Sequence, residues 1–367
     1  MSLKDDLKNI VINEEVSGPF ISLFLPLYPS KDSFKLDDSE FDSLLAKAKK
    51  EYIDQFGKKG WEKYEEKIRD IKNDIIFDYA QSKSLGVIVG KEATYHYYLP
   101  RKVQLQVRVS EQPYILPIIR GYEFMPTYNI LKVSQDSFKM FEFKNGLVTA
   151  KALPADAPTS AATALNIDVD DQKIRMEEKE GNTSYDQYRG YDVEAEAKQS
   201  EMDHYFRIVD EYVIKHVSLR DHLPVVLMVN KADFGEFTKI SHNQYLDKED
   251  MMTVPSITNH ESLGKVLDPI NKKFIDKCRQ NVEAEIDTGR SKHRCLAGME
   301  KVQQAATEGR LDMLFLAHEL VQNETETAEQ INANNTAILT LVYGGQVNIV
   351  DASLLNGDEI IGILRGI

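Results

Sequence analysis

The side chains of this 367-residue chain that could do chemistry are scattered, and few stand at the spacing chemistry demands. Arg290, Lys292, His293 and Arg294 are the densest basic cluster. Placed just ahead of a helix N-terminus, they could hold a phosphate with their own charge and free backbone N–H groups; a solvated turn is the plainer reading. Asp168, Asp170 and Asp171 offer hard oxygen ligands, but the glycine turn and distal glutamate of a calcium loop are missing, so a solvated acidic loop is expected. The eight histidines include no His-Glu-x-x-His and no pair at i, i+4. No Gly-x-Ser-x-Gly elbow or phosphate loop ending in Gly-Lys-Ser/Thr occurs either. No metal and no cofactor are expected. Tyr97 and Tyr98 could stack on bases, although strand aromatics more often pack. Gly344-Gly345 lies between the apolar runs Ile338–Val342 and Val347–Val350, where a turn needing positive φ favours glycine.

The elements that must position these residues can be read from composition and periodicity. Lys and Arg number 45 against 59 Asp and Glu, a balance of 45 − 59 = −14, with 42% hydrophobic and 28% charged residues. Such a chain folds, and its length suits two or three domains. No apolar stretch reaches the ~20 residues of a membrane span. The opening Met-Ser-Leu-Lys-Asp-Asp lacks a signal peptide's apolar core, and Cys278 and Cys295 are too few for a disulfide framework. A cytoplasmic location is expected, without membrane or DNA as partner. The negative balance argues against a surface that grips nucleic acid everywhere and leaves room for a local basic patch.

The expected fold class is α/β, in three units. Residues 1–125 read as an N-terminal α/β domain: a strand at Phe20–Leu25, helices carrying Phe41, Leu44, Leu45, Ala48 and Tyr52 and then Trp61–Phe77, and a hairpin Leu85–Val89/Thr94–Leu99. Pro100, Pro113 and Pro117 break the remainder of this unit into short extended pieces. Residues 126–269 open with strands Asn129–Ser134, Phe138–Phe143 and Leu147–Leu153, the last two joined at Asn145-Gly146. A long acidic loop, 154–199, precedes a helix bearing Met202, Phe206, Val209, Val213 and Val217. Residues 270–367 read as an α/β domain with a helix from Phe274 closed by Gly289, another at Met299–Ala306, and strands at Leu311–Leu316, Ala337–Val342 and Val347–Val350. Asn323–Asn335 reads as a polar connection.

Several short stretches, taken in order, carry a resemblance. They are Ala152-Leu153-Pro154, His204 through Val209, Val225-Val226-Leu227 with Ala232-Asp233-Phe234, Asp287-Thr288-Gly289, Gly309 through Leu314, Gly345 through Asp351, and Ile361 through Arg365. The last two units resemble the central and C-terminal domains of eukaryotic and archaeal class-1 release factors and Pelota, and more closely the bacterial archaeo-eukaryotic release-factor-like proteins. The resemblance implies a C-terminal domain like RNA-binding ribosomal proteins, and the ribosome, its RNA or tRNA as partner.

Release factors hydrolyse peptidyl-tRNA with Gly-Gly-Gln at the tip of the central loop. Counting back from His204 puts that tripeptide at Tyr188-Arg189-Gly190, so glycine pair and glutamine are both absent there. The Gly344-Gly345-Gln346 that is present falls in the C-terminal sheet, where it reads as a turn. Between Ala155 and Met202 twelve acidic and five basic side chains give 5 − 12 = −7. The expectation is therefore a ribosome-associated protein of rescue, stalling or dormancy and the stress response, without codon-dependent termination and leaning away from enzymatic action. One alternative is a regulatory module whose acidic loop binds a protein partner. Another is a peptidyl-tRNA hydrolase using Asn182, Gln187 and Arg189, the arginine on a phosphate and an amide orienting water.

Overall fold

The computed structural model describes residues 3–12, 18–29, 34–35, 37–74, 83–165, 187–253, 260–322 and 327–366. The chain is α/β, with mixed helices and three principal sheets. It divides into two compact units, where the sequence suggested three. The terminal unit combines Met1–Met125 with Ile275–Ile367, and the central unit is Pro126–Phe274.

The terminal unit begins with the helix Leu3–Ile12 and strand β1 (Phe20–Pro26). A short ribbon, β2 (Tyr28–Pro29) with β3 (Phe34–Lys35), leads into the helix Asp38–Phe56, which Asp37 caps by accepting from the N–H groups of Ser39 and Glu40. After the helix Trp61–Asp74 come β4 (Ser84–Val89), β5 (Thr94–Leu99) and β6 (Gln106–Ser110). The sheet order is β5-β4-β1-β6, antiparallel throughout. Side chains alternate across it. Ile21, Leu23, Leu25, Val87 and Val107 meet the two long helices, while Phe20, Phe24 and Ile88 face a second core. The run read as extended pieces holds a helix, Leu116–Gly121, because Pro117 sits in the first turn, where a missing N–H costs nothing.

In the central unit β7 (Tyr128–Val133), β8 (Phe138–Lys144) and β9 (Leu147–Ala150) form a meander. Asn145 and Gly146 both take positive φ, +53° and +77°, as the tight turn requires. The helix Gln187–Val213 starts well before the expected Met202. Its first turns, Gln187 to Lys198, mix strong helix formers with Gly190, Asp192 and Val193, so neither propensity nor an apolar stripe reveals the start. Then come β10 (Val225–Met228), the helix Lys231–Ile240 and β11 (Leu246–Met252). Strand order is β11-β10-β7-β8-β9, with β10 parallel to both neighbours. Leu131, Val133, Val225 and Leu227 pack on Phe206, Val209, Val213 and Phe237; Tyr128, Ile130, Val226 and Met228 pack on Leu267 and Ile270.

The helix His260–Ser291 runs through Pro269 and past Gly289, so the helix stop expected at Gly289 does not hold. Gly289 is there for closeness: a Cβ would stand 3.0 Å from Ile363 Cδ1. Beyond it lie β12 (Cys295–Ala297), the helix Met299–Thr307, β13 (Leu311–Ala317), a helical turn Glu319–Gln322, the helix Ala328–Val342, β14 (Gln346–Val350) and β15 (Ile360–Leu364), in sheet order β12-β15-β13-β14. Ala337–Val342, expected as a strand, is the end of that helix, and Ala328–Asn335 of the expected connection is its start. Polar residues face inward here: Gln330, Asn334, Thr336 and Thr340 are buried, and the Thr336 and Thr340 hydroxyls donate to the carbonyls of Asn332 and Thr336. That inversion hides the helical period. Gly344 and Gly345 accordingly close a helix rather than a hairpin, with Gly345 N–H on Thr340 O (2.7 Å) and Gly344 N–H on Leu341 O (2.9 Å).

One core joins the two ends of the chain. Leu7, Ile10, Phe24, Leu99, Ile115 and Ile118 pack with Val302, Leu314, Leu316, Ala337 and Leu341. The opposite face of the last sheet, with Phe315, Val350 and Ile361, is covered by Val282 and Ile286 of the long helix.

Candidate functional site

The central unit fixes the two roots of the segment 166–186, which itself lies outside the described residues. After β9 the chain turns back along β8: Lys151 N–H donates to Met140 O, Phe138 N–H to Thr159 O and Ala161 N–H to Asp136 O. Ser160 caps the short helix Ala161–Ala164, Ala157 is buried, and Leu165 packs on the core. The second root is the helix Gln187–Val213, which buries Tyr205, Phe206 and Val209. Tyr205 Oη donates to Pro158 O at 3.3 Å, tying one root to the other. The Asp136 carboxyl at the turn beside them is held below the usual range by the Ser134 hydroxyl. So 154–165 and 187–199, expected as loop, are structured, and 166–186 is the part of that expected loop outside the described residues. Those 21 residues carry seven acidic and three basic side chains, 3 − 7 = −4.

The sequence-predicted residues do not assemble into one site. Asn182 lies outside the described residues, as do Asp168, Asp170 and Asp171. Gln187 and Arg189 begin the long helix instead of standing on a loop. Arg290, Lys292, His293 and Arg294 stand at and just beyond a helix C-terminus and lead into β12, which separates them from the N-terminus of the helix Met299–Thr307. At that C-terminus the dipole has the opposite sign: it offers partly negative carbonyls, which basic side chains complement. His293 takes φ +56°, its N–H bonds Arg290 O, and Arg294 N–H bonds Gly289 O, a Schellman cap. The side chains diverge. Arg290 lies 3.7 Å from Asp287 and Arg294 Nη1 donates to Leu364 O, while Lys292 and His293 are exposed. Arg294 also lines a cleft of about 380 Å³ with Asn281, Thr288, Glu285 and Asp312. Burial, aided by Asp312, raises the Glu285 carboxyl.

Among the described residues one acidic group, Asp247, Glu249 and Asp250, gathers oxygens closely enough for a metal. Lys273 Nζ stands among them at 3.0, 3.3 and 2.6 Å, and the Asp250 carboxylate leads in raising the ammonium's pKa. A tethered ammonium takes the place of an ion. Sequence spacing carries no signal for this group, nor for the ion chain of Glu123, His318 and Asp351, whose members are far apart in sequence. No helix among the described residues is long and apolar enough to cross a membrane.

Residues 126–273 match the bacterial archaeo-eukaryotic release factor family 6. The resemblance read from the sequence is to this same family, and the match falls on the central unit. Similar solved structures include an archaeal translation termination factor, aRF1 (14% identity over 99% of this chain and 98% of that one, TM-score 0.26), and archaeal Pelota in a model of ribosome-bound Pelota and ABCE1 (12%, 99% and 94%, TM-score 0.39). A third is Dom34 of S. cerevisiae, a translation termination-like factor (11%, 77% and 79%, TM-score 0.36). No curated protein matches.

Proposed function

We propose that this protein is a ribosome-associated, release-factor-like translation protein acting in rescue, stalling or dormancy, without codon-dependent termination. The observation that carries the reading is the family match over 126–273, which spans the segment 166–186 and both its fixed roots. The segment 166–186 works by contact rather than by peptidyl-tRNA hydrolysis. The first turns of the helix after it hold Tyr188-Arg189-Gly190 in place of Gly-Gly-Gln, and 166–186 carries −4. Each acidic group brought close to an RNA phosphate meets about 1 kcal/mol of repulsion even at water's dielectric. A basic protein surface is the better match for this acidic segment, and the terminal unit is the better candidate for RNA contact.

Sedimentation through sucrose gradients tests this directly. The full chain is expected in ribosomal fractions under growth or stress, and a chain with 166–186 replaced by a short Gly-Ser linker is expected to stay folded and keep that association. Absence of the full chain from ribosomal fractions in both conditions rejects the proposal.

A further inference from the structure

The chain leaves the terminal unit at Met125/Pro126 and re-enters it at Phe274/Ile275. Close to these crossings lie Glu123, just before the first, and Arg279, just after the second. A chain of charges within the terminal unit links them. β13 and β14 are parallel with Ala317 opposite Val350, so the next residues, His318 and Asp351, emerge side by side, and His318 N–H donates to Val350 O at 2.9 Å. His318 Nε2 lies 2.8 Å from Glu123 Oε2, which also accepts from Arg101 Nη1 at 3.3 Å. His318 Nδ1 faces Asp351 Oδ1 at 3.1 Å, and Arg279 Nη2 donates to Asp351 Oδ2 at 2.7 Å. The Arg279 guanidinium also lies 6.0 Å from the ring centroid of Phe124, the residue after Glu123. The Glu123 side chain is only 3% exposed and that of His318 15%.

We propose that His318 is a proton-held latch fastening together the roots of the two segments that join the units. The imidazolium hydrogen-bonds Glu123 Oε2 through Nε2 and pairs through its Nδ1 side with Asp351 Oδ1. Neutral imidazole donates from one, and its other nitrogen then turns a lone pair toward the second carboxylate. Loss of one proton therefore breaks the side-chain path running from Glu123 through Asp351 to Arg279. The groups facing the ring are Glu123, Asp351 and the half-buried Arg120, with Arg101 and Arg279 behind the two carboxylates. The bond to Glu123 leads in raising the ring above the ordinary histidine range; burial and Arg120 oppose, and Asp351 assists. A raised folded value means the latch is fully held below about pH 6.5 and released as pH climbs through that higher value.

Hydrogen exchange tests it, corrected for the intrinsic pH dependence of exchange. Amides that report on the first root include Glu123, bonded to Arg120 O, and Met125, bonded to Tyr122 O; helical amides at 277–282 report on the second. From pH 6 to pH 9 both sets should open about tenfold more in the wild-type chain, the scale of one charge-assisted bond. His318→Gln should be equally open at both pH values, and Asp351→Asn should loosen 277–282 while sparing 122–125. The proposal is overturned if His318→Gln keeps the wild-type pH response, or if the ring's own NMR titration has its midpoint at or below about 6.5. Should His318→Gln fail to fold, the ring titration and Asp351→Asn decide the matter.

Discussion

Asn334 Oδ1 accepts from Ile115 N–H and its Nδ2 donates to Pro113 O, each at 3.0 Å, so one amide on a C-terminal helix satisfies two backbone groups of the N-terminal segment. All three residues are buried. Truncating the amide strands an N–H and a carbonyl where water cannot reach them. Asn334→Ala should therefore destabilise the terminal unit by about 2–3 kcal/mol. For a unit of this size, thermal unfolding should show Tm lower by roughly 4–10 °C. Exposed Glu329→Ala on the same helix is the control and should stay within about 0.5 kcal/mol. Equal effects of the two substitutions would show that the bridge contributes nothing.

The chain's single tryptophan reports on one carboxylate. Trp61 Nε1 donates to Glu65 Oε2 at 2.6 Å, and Arg69 Nη2 donates to Oε1 at 3.0 Å. The indole bond, then Arg69, holds the Glu65 carboxyl below its ordinary value, against the effect of burial. The stability this supplies is present above about pH 4.3 and lost as pH falls through the lower folded value. A fluorescence titration should show a transition with its midpoint below about 4.3, abolished by Glu65→Gln. A transition at or above that value, or one that survives the substitution, contradicts the assignment.

His293 holds the left-handed position of a helix cap without being glycine. The left-handed region costs a non-glycine residue roughly 1–2 kcal/mol, and glycine's extra unfolded-state freedom returns part of it. His293→Gly should thus stabilise by about 0.5–1 kcal/mol, seen as a higher urea midpoint at unchanged slope. The proposed phosphate role of the basic cluster makes a separate prediction at Lys292, which is exposed. If Lys292 contacts a phosphate, Lys292→Ala lowers the slope of log affinity for RNA against log salt by about 0.7–0.9. An unchanged slope removes Lys292 from the contact.

How much could be read in advance depended on where polar residues sit. The β8–β9 hairpin was legible because Asn145-Gly146 can hold two positive φ values and the flanking residues alternate. The helix Ala328–Val342 was not, since Gln330, Asn334, Thr336 and Thr340 are buried while Ile331 is exposed. The opening of the Gln187 helix was not either, since Gly190, Asp192 and Val193 dilute its propensity and no apolar period runs through it. For the candidate site the chain order of the elements on either side of 166–186 was legible. The divergence of Arg290 and Arg294 was not, because it depends on a cap that places them at the negative end of a helix. His318 and Asp351 meet only through strand pairing, which local spacing does not encode.

The tripeptide Gly344-Gly345-Gln346 divides structural from chemical roles within three residues. Gly344 has φ +83°, and a Cβ on Gly345 would stand 2.6 Å from Thr340 Cγ2 and 2.9 Å from the Leu311 carbonyl oxygen. A backbone oxygen held in the strand array cannot step aside as a side-chain tip can. Gly345→Ala should therefore cost about 1–3 kcal/mol through overpacking. Gln346, by contrast, is exposed at the start of β14 and pairs through its backbone with Met313. Gln346→Ala should leave the melting temperature within about 1 °C and ribosome sedimentation as in the wild-type chain. Loss of a peptidyl-tRNA hydrolase activity in Gln346→Ala, with stability intact, would make this tripeptide a working site and overturn its reading as a helix cap.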